Sequence, residues 1–351
     1  MPLKLGEEER RKLFETHETV APMLDLVGAY VFRMAGTAVK LGVFEALREG
    51  PLSAAEAAPR LGVDERGLGQ LLAGLAAGGY LERDGERYAN NEITGKFLLS
   101  DSPGGGAETI TFYDTLLVHL WADLESSIRS GEPPRDYFRW LGEHPDTLRQ
   151  FQRMLSGGAR QLGGKLVELA ALPDTARRLL DLGGGHGIYA AAFCSRHPEL
   201  RATLFDLPGA LEAGREMLAD QGMEGRVDFL PGDLLRDDFG GGYDAVLLAS
   251  VVHCLPPEEC SRLLGRVRDA LSPGGVVIVF EQVAERRPGD TELRHAFLQT
   301  FSVNLFHLMG GQLYGRDTIA GWLAGSGFEP PEVHPVADSS FTLFVAARAD
   351  D

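Results

Sequence analysis

The second half of the chain alternates short apolar runs with segments of helical periodicity. Apolar runs of this length are typical of strands that are buried on both faces of a parallel sheet. Such strands, alternating with helices, predict a doubly wound α/β sheet. The C-terminal runs 327–336 and 340–348 lie too close together for a crossover helix, so they predict an antiparallel pair at one edge. The predicted parallel strands are RLLDLG (178–183), RATLFDLP (201–208), VDFLPGD (227–233), YDAVLLASVVH (243–253) and GGVVIVFE (274–281).

The first half of the chain is mainly helical in pattern. Apolar residues recur at three- and four-residue steps over 30–50, and two further helical segments, 51–63 and 64–82, begin at good N-cap residues. Asp84 and Gly85 follow as a hairpin turn signal. Three helices and a hairpin describe a winged helix, so a gene regulator that senses a small ligand is one hypothesis for this chain.

The charge of the chain favours a different role for this domain. The sequence has 34 basic and 51 acidic residues, and the segment 35–100 carries seven basic and nine acidic side chains. A DNA-binding protein gains most of its affinity by neutralising phosphates, and a net-acidic domain is unsuited to that task. The small apolar residues of 68–80 are typical of protein packing. We therefore expect a dimerisation module and no nucleic-acid partner.

Changes of pattern predict three regions: a winged-helix-like dimerisation domain over 1–111, a helical connector over 112–175, and an α/β domain over 176–351. Three cysteines cannot form a disulfide framework, which favours a reducing compartment. The N terminus lacks the apolar core of a signal peptide, and we find no apolar stretch long enough to span a bilayer. A cytoplasmic protein without a membrane partner is expected.

A glycine-rich turn, LLDLGGGHG (179–187), follows the first predicted parallel strand. Ligands of open α/β sheets bind beyond the carboxyl ends of the strands. Gly183, Gly185 and Gly187 allow a tight turn and a close approach to a ligand, and the next helix offers free N–H groups. Asp181 is placed to order the turn. The dinucleotide pattern GxGxxG needs a small residue at 188, where this chain has isoleucine, so the turn does not favour a dehydrogenase.

The next two strand ends carry carboxylates. Asp206 lies 23 residues after Gly183, at the end of the second predicted strand, where a carboxylate is able to accept both hydroxyls of a ribose. A helix cap or a surface carboxylate is the alternative interpretation. Asp233 ends the third predicted strand and is able to accept a hydrogen bond from an exocyclic amine such as that of adenine. The three strand ends together predict a nucleoside site.

Taken in order, these motifs resemble a known family. LLDLGGGHG, FDLPGAL, PGDLL, HCLPPEEC and LSPGGVVIVFE follow one another as in S-adenosylmethionine-dependent O-methyltransferases, and they are most similar to the plant caffeate/flavonoid type and its bacterial secondary-metabolite relatives. The resemblance covers nearly the whole chain. It implies a Rossmann-like class I methyltransferase domain over 176–351, a homodimer, and methylation of a hydroxyl on a small aromatic or polyketide-like acceptor. It also implies that the connector over 112–175 contributes to the substrate pocket.

The resemblance further implies which residues bind S-adenosylmethionine. The turn at 183–187, preceded by Asp181, would hold the methionine part of the cofactor. Asp206 with Leu207 would bind the ribose, and Asp233 with Leu234 the adenine. Ser250 is expected to complete this site.

His253 ends the fourth predicted strand, where the family has a histidine that serves as general base. A neutral imidazole accepts a hydroxyl proton near pH 7. Glu281 matches a family carboxylate and is expected to orient the imidazole. Cys254 stands where the family usually has aspartate, and Leu313 and Tyr314 stand where it commonly has an acidic and a basic residue. A core histidine, or a relative with other chemistry such as hydroxylation, rearrangement or C- or N-methylation, is therefore the alternative.

The remaining candidates concern the acceptor pocket and metal binding. His253 and Cys254 are expected to diverge, because neighbours on a strand point to opposite faces, and this disfavours Cys254 as a nucleophile. Asp237 and Asp238 are interpreted as a solvated turn, and no metal site is predicted. His307 is a second base or, in the preferred interpretation, a pocket wall. The predicted acceptor-pocket walls are Phe151, Met154, Phe301, Asn304, His307 and Leu308.

Overall fold

The computed structural model of the chain describes residues 5–16, 22–102, 105–219, 221–223, 225–287, 289–337 and 339–350. The chain divides into two compact units between His119 and Leu120. The functional boundaries at 111 and 175 stay a prediction. No helix within the described ranges is both long and apolar enough to cross a membrane.

Helices dominate the N-terminal unit. Its elements are α1 (Glu7–Arg10), a π-helical turn (Arg11–Glu15), α2 (Pro22–Leu41), α3 (Val43–Ala46), β1 (Leu52–Ser53), α4 (Ala54–Leu61), α5 (Glu65–Ala77), β2 (Leu81–Asp84), β3 (Arg87–Asn90), α6 (Glu92–Phe97) and α7 (Gly106–His119). Ser53 and Glu56 form a capping box at the start of α4. Gly85 has a φ of +59° in the hairpin turn, a conformation that favours glycine. The strands form an antiparallel sheet ordered β1-β3-β2, so the unit is winged-helix-like, as predicted.

A buried carboxylate joins two helices of this unit. Asp114 of α7 is 1% exposed, and it pairs with Arg33 and with Lys40 of α2, whose Nζ lies 2.7 Å from Asp114 Oδ2. Gly36 lies on the same face of α2, and a Cβ there would lie 2.8 Å from Asp114 Cγ. The glycine therefore leaves room for the carboxylate, and the two cations offset the cost of burying its charge. No pattern in the sequence indicates this cluster.

The C-terminal unit is built on a seven-stranded sheet. Its elements are a 3₁₀ turn (Trp121–Asp123), α8 (Leu124–Ser130), α9 (Tyr137–Gly142), α10 (Pro145–Ala170), β4 (Arg178–Leu182), α11 (Ile188–Arg196), β5 (Arg201–Asp206), α12 (Pro208–Leu218), β6 (Val227–Pro231), β7 (Tyr243–Ala249), a 3₁₀ turn (Val252–Cys254), α13 (Pro257–Ala270), β8 (Leu271–Gln282), α14 (Glu292–Met309), α15 (Arg316–Gly325), β9 (Glu332–Pro335) and β10 (Phe341–Ala347). The strand order is β6-β5-β4-β7-β8-β10-β9. The first five strands pair in parallel, and β10 pairs antiparallel with β8 and β9. This confirms the predicted doubly wound sheet with its antiparallel C-terminal pair.

Alternation of side chains along the central strands builds an apolar core on each face of the sheet. Leu179 of β4 and Leu247 of β7 lie in the core with α10, α11 and α12. Leu180 and Leu248, one residue further along, lie in the core on the opposite face with α13 and α15. Because helices cover both faces, the strands need an apolar residue at nearly every position, and this explains their continuous apolar runs.

Four of the parallel strands, β4 to β7, end earlier than the sequence pattern predicts, and the difference matters most for β6 and β7. The pattern predicts one strand over 243–253, but β7 ends at Ala249 and Ser250 has a φ of +59°. A positive φ is incompatible with extended backbone, so His253 lies in the 3₁₀ turn that follows and not on a strand. β6 likewise ends at Pro231, before Asp233.

Candidate active site

The glycine-rich turn after β4 has backbone conformations that residues with a side chain rarely adopt. Gly183, Gly185 and Gly187 have φ values of +69°, +39° and +70°. A Cβ at Gly183 would lie 2.8 Å from Val251 Cγ2, so close packing also requires glycine there. The Gly183 N–H donates to Phe205 O over 2.8 Å and anchors the turn to β5. The turn is therefore a fixed surface of backbone at the carboxyl end of the sheet.

His186 has a role in this turn that the sequence analysis does not assign. The side chain is buried, and its Nδ1 accepts the Ile188 N–H over 3.1 Å. That amide belongs to the first residue of α11, so one donor that the sequence predicts to be free for a ligand is already bonded. Burial, together with the positive charge of Arg160, lowers the pKa of His186 to about 4, and the ring is neutral at pH 7.

Two carboxylates flank the turn. Asp181 of β4 is buried, and its Oδ2 has no hydrogen-bond partner among the described residues. Asp206, the last residue of β5, accepts the Gly185 N–H at 2.9 Å and the Leu207 N–H at 2.7 Å. Burial and the nearby Asp206 raise the pKa of Asp181 to about 7, and burial raises the pKa of Asp206 to about 6 despite its two hydrogen bonds. A bound cation would relieve the cost of burying these charges.

Asp233 and Leu234 lie just beyond β6, in a turn that the aspartate helps to close. Asp233 Oδ1 accepts the Leu235 N–H over 2.8 Å, and its Oδ2 lies 3.6 Å from Arg236 Nε. The Asp233 N–H donates to Asp237 Oδ2 over 2.9 Å. Asp237 therefore shapes the backbone of this turn, while the Asp233 carboxylate remains partly exposed at the third strand end.

Ser250 lies where the chain leaves β7. Its φ of +59° is one of two positive values at non-glycine residues in the described ranges. Its N–H donates to Phe280 O over 3.0 Å, and its carbonyl accepts the Cys254 thiol at 3.6 Å. Such a conformation costs about 1–3 kcal/mol, and strained residues of this kind cluster at functional sites. The strain redirects the chain from the strand into the turn that carries His253.

His253 faces Glu281 of β8. His253 Nδ1 lies 2.6 Å from Glu281 Oε2, and the two side chains are only 7% and 1% exposed. The contact is an ion pair by distance and not an aligned hydrogen bond. Glu281 Oε1 accepts the Val252 N–H over 2.7 Å. One buried carboxylate therefore fixes both the turn and the imidazole.

The 3₁₀ turn places both His253 and Cys254 beyond the end of β7, so the strand geometry that predicts their divergence does not apply to them. Alternation to opposite faces holds only along a strand. Burial lowers the pKa of His253, but the charge of Glu281 and the Cys254 side chain outweigh burial and raise it well above 6.5. The Glu281 carboxylate therefore favours the protonated form of the imidazole over the neutral form in the free protein.

Phe301 of α14 packs against His253. The two ring centroids are 5.9 Å apart with planes at 79°, and Phe301 also lies parallel to Phe297, with centroids 5.8 Å apart. Phe297 is half-exposed. An aromatic surface therefore extends from the imidazole toward solvent. Phe301 is one of the pocket walls predicted from the sequence and Phe297 is not, although the two lie four residues apart on one helix.

Asn304 and His307 of α14 bond to the segment that begins the C-terminal unit. Asn304 Oδ1 accepts the Trp121 Nε1–H over 2.9 Å. His307 Nδ1 lies 2.7 Å from Ser127 Oγ, and its Nε2 lies 3.1 Å from Leu120 O. Both ring nitrogens of His307 are therefore engaged, and this buried histidine ties α14 to α8.

The other predicted pocket walls lie on α10 and α14. Phe151 and Met154 are half-buried on α10, and Leu308 is buried on α14. Phe151 packs edge-to-face against Tyr137 of α9, with ring centroids 6.2 Å apart.

The two residues at 313 and 314 support the turn of His253. Tyr314 donates its hydroxyl to Leu255 O over 2.5 Å, and Leu313 is buried in an apolar cluster. A Cβ at Gly311 would lie 2.1 Å from His253 O, so glycine lets this segment pass against the turn. At these positions the chain provides packing and a hydrogen bond where the family commonly has charged side chains.

The fold and the site together define a class of protein. A doubly wound sheet carries a glycine turn and two carboxylates at neighbouring strand ends, and a buried histidine–glutamate pair lies at the next two strands. This arrangement agrees with the Rossmann-like class I methyltransferase domain that the resemblance implies, and the histidine–glutamate pair lies where the resemblance implies a base and its orienting carboxylate.

Comparisons with known proteins identify the family. Residues 121–329 match the family model of the O-methyltransferase domain, and residues 24–100 match that of the O-methyltransferase dimerisation domain. The chain is 30% identical over 342 residues to the mitomycin biosynthesis 6-O-methyltransferase of Streptomyces lavendulae, with 95% of each chain covered. It is 30% identical over 301 residues to the 3-hydroxy-5-methyl-1-naphthoate 3-O-methyltransferase of Streptomyces sahachiroi, covering 83% of this chain and 84% of that one. The solved structure of PigF with SAH superposes with a TM-score of 0.83 at 26% identity, covering 98% of this chain and 100% of that one. The chain belongs to the O-methyltransferase family, and it is an enzyme that uses S-adenosylmethionine.

The residues around the glycine turn fit this cofactor. S-adenosylmethionine carries positive charge on its sulfonium and ammonium groups, and the raised pKa values of Asp181 and Asp206 mark a place where positive charge is favourable. Asp181 Oδ2 is a buried acceptor that lacks a donor among the described residues. Close packing requires glycine at all three positions, because a Cβ at any of them would meet a neighbouring side chain closely.

Proposed function

We propose that this enzyme methylates a hydroxyl group of a small aromatic or polyketide-like acceptor. The observation that carries the proposal is the buried His253–Glu281 pair beside Phe301, because it sets a proton acceptor against an aromatic surface. The relative that methylates a hydroxynaphthoate supports the aromatic class. We assign His253 the role of general base and Glu281 that of its positioning carboxylate.

Residues at four strand ends would hold the cofactor. When bound, S-adenosylmethionine supplies a methyl group that its sulfonium makes electrophilic. The glycine turn is assigned the methionine part, Asp206 the ribose, and Asp233 with Leu234 the adenine. The proposed cofactor residues are Asp181, Gly183, Gly185, Gly187, Asp206, Leu207, Asp233, Leu234 and Ser250.

Affinity for S-adenosylmethionine is expected to rise with pH between about 6 and 7. The folded-state pKa values of Asp206 and Asp181 are about 6 and about 7, so both carboxyls gain charge across this interval and attract the cofactor's cationic groups more strongly. His186, with a pKa of about 4, stays neutral throughout. Calorimetric titration in buffers of different ionisation enthalpy measures both the Kd and the protons released. An affinity that is flat from pH 5.5 to 8, with no proton release, would contradict this assignment.

Proton removal by His253 requires the neutral imidazole. His253 Nε2 would take the hydroxyl proton while Nδ1 faces Glu281, whose negative charge stabilises the imidazolium that forms. The remaining work of the protein is to align the acceptor oxygen, because a well-oriented pair of reactants reacts far faster than a free pair.

Replacement Glu281→Gln is expected to move the acidic limb of the kcat/KM profile to lower pH. The carboxylate raises the pKa of His253, so a neutral amide leaves burial as the dominant influence and the pKa falls. The amide oxygen is still able to accept the Val252 N–H, which keeps the turn in place. Rates measured from pH 5.5 to 9.5 test this shift. Cys254→Ala should move the acidic limb in the same direction by a smaller amount. An acidic limb that does not move in Glu281→Gln would mean that Glu281 does not influence the pKa of the general base.

The acceptor pocket is proposed to lie along α10 and α14. Phe301, Phe151, Met154 and Leu308 would provide apolar walls. Asn304 and His307 would contribute by holding α14 to the segment 120–127. The connector that contains α10 would thus contribute to substrate binding, in keeping with the proposed region 112–175.

Two wider proposals concern assembly and compartment. The match of 24–100 to a dimerisation domain supports a homodimer, which light scattering of the purified protein tests. The free cysteines Cys194, Cys254 and Cys260 support a cytoplasmic location, which fractionation of producing cells tests.

A transfer assay tests the proposed reaction. Purified enzyme is first titrated with S-adenosylmethionine, and the loaded enzyme is then offered a panel of phenols, naphthols and polyketide phenols, with matched anilines and methyl ethers as controls. Mass spectrometry locates the added methyl group. Transfer to oxygen supports the proposal, transfer only to nitrogen or carbon redirects it, and a folded protein that binds no S-adenosylmethionine contradicts it.

A further inference from the structure

One polar side chain near the glycine turn lies outside the set of cofactor residues above. Gln152 of α10 is 4% exposed, and its Oε1 has no hydrogen-bond partner among the described residues. The amide lies directly over Gly185, where a Cβ would lie 2.5 Å from Gln152 Oε1 and 2.9 Å from its Nε2. The absence of a side chain at Gly185 therefore creates the space that this amide occupies.

The turn itself does not supply the donor that Gln152 Oε1 lacks. The Gly185 N–H already donates to Asp206 Oδ2, and the Gly187 N–H donates to Gly184 O. Buried polar groups are paired in nearly all folded proteins, and a leucine of similar size would avoid the cost of an unpaired amide. A buried acceptor without a donor, in contact with a ligand-binding turn, therefore indicates that the ligand brings the donor.

The neighbouring charges define the chemistry of that donor. Asp181 Oδ2, the other buried acceptor without a partner at this turn, belongs to a carboxylate whose surroundings favour positive charge. Two unpaired acceptors of this kind suit a group with several N–H donors and a positive charge, which an ammonium group provides.

We propose that Gln152 binds the amino-acid end of S-adenosylmethionine, with Oε1 accepting a hydrogen bond from the ammonium group. The inference rests on the proposed cofactor site and adds to it a wall contributed by α10. Gln152 is then a cofactor-binding residue that contacts the amino-acid end of the cofactor and not its nucleoside end. It also places the helix that carries Phe151 and Met154 in contact with the cofactor.

Two ligands separate this role from a structural one. S-adenosylhomocysteine contains the amino-acid end, whereas 5′-methylthioadenosine keeps the nucleoside and lacks the amino acid. Calorimetric titration of both ligands is made on the wild type, Gln152→Leu, Gln152→Glu and Asp206→Ala. Gln152→Leu is expected to weaken S-adenosylhomocysteine about 10- to 100-fold, the usual loss for a hydrogen bond to a charged group, and to leave 5′-methylthioadenosine unchanged. Gln152→Glu is expected to retain the affinity for S-adenosylhomocysteine, because a carboxylate also accepts from an ammonium group.

The variants also show which outcome overturns the proposal. Equal weakening of both ligands by Gln152→Leu, or no weakening of either, would assign Gln152 a structural role. Loss in Gln152→Glu as large as in Gln152→Leu would mean that the amide donates to the carboxylate group of the ligand, and would overturn the ammonium assignment. Asp206→Ala weakens both ligands if the proposed nucleoside site is correct, so failure of that site is visible separately. Thermal unfolding without ligand is expected to leave Gln152→Leu as stable as the wild type, and Gln152→Met serves in its place if it is not.

Discussion

Replacement of His253 by alanine is expected to lower kcat by about 10²- to 10⁴-fold, the range that a positioned general base contributes. The imidazole lies 2.6 Å from a buried carboxylate and packs edge-on against Phe301. Removing it leaves the acceptor hydroxyl without a group to receive its proton. Single-turnover rates with enzyme saturated in S-adenosylmethionine measure the chemical step apart from product release.

A second histidine–glutamate pair gives the matched control. His334 Nε2 lies 3.4 Å from Glu332 Oε2 on β9, the edge strand of the same sheet, so His334→Ala removes a histidine from a more exposed pair away from the glycine turn. That variant should keep the wild-type rate, and His253→Ala should keep its affinity for S-adenosylmethionine. If His253→Ala retained a rate within threefold of the wild type, His253 would be a core histidine and the base would lie elsewhere.

Replacement of Asp206 by alanine is expected to weaken S-adenosylmethionine binding by roughly 30- to 1,000-fold, corresponding to the loss of one half-buried, charged hydrogen-bonding partner. The carboxylate contributes in two ways. It is assigned to the ribose, and it also fixes the turn by accepting the Gly185 N–H at 2.9 Å. Calorimetry on the free enzyme measures the change directly.

Two further variants separate these contributions of Asp206. Asp206→Asn is able to accept the Gly185 N–H without the charge, and we expect an affinity between those of the wild type and the alanine variant. Asp228→Ala removes an exposed carboxylate from the neighbouring strand β6 and should change nothing. Wild-type affinity in Asp206→Ala would mean that this carboxylate is only a helix cap.

The sequence predicts those parts of the molecule that depend on local pattern. Continuous apolar runs predict β4, β5 and β7 because both faces of these strands are covered. The positions of Asp181 and Asp206 follow from the strand ends, and the resemblance to a family adds His253 and Glu281. The contact between His253 and Glu281 follows from the sheet, because β7 and β8 pair with each other although they are separated in sequence.

What the sequence does not predict depends on contacts between distant segments. Gln152 is an ordinary glutamine on an amphipathic helix until α10 is placed against Gly185. The apolar side chains of 243–253 predict one strand that continues through Ser250. In the structure the backbone turns at Ser250 and brings the Val252 N–H to Glu281. Propensity describes single residues, and tertiary hydrogen bonds override it at such sites.

Glu281 contacts both the Val252 N–H and His253, and the first of these contacts predicts slow hydrogen exchange at one amide. The Val252 amide lies in a turn beyond the end of β7, yet it donates to a carboxylate that is 1% exposed near the end of β8. Its proton is therefore expected to exchange with solvent as slowly as those of the β7–β8 core, and far more slowly than those of exposed turns. That one amide resonance would report whether the turn that carries His253 stays bonded to Glu281 in any variant, ligand complex or solvent condition.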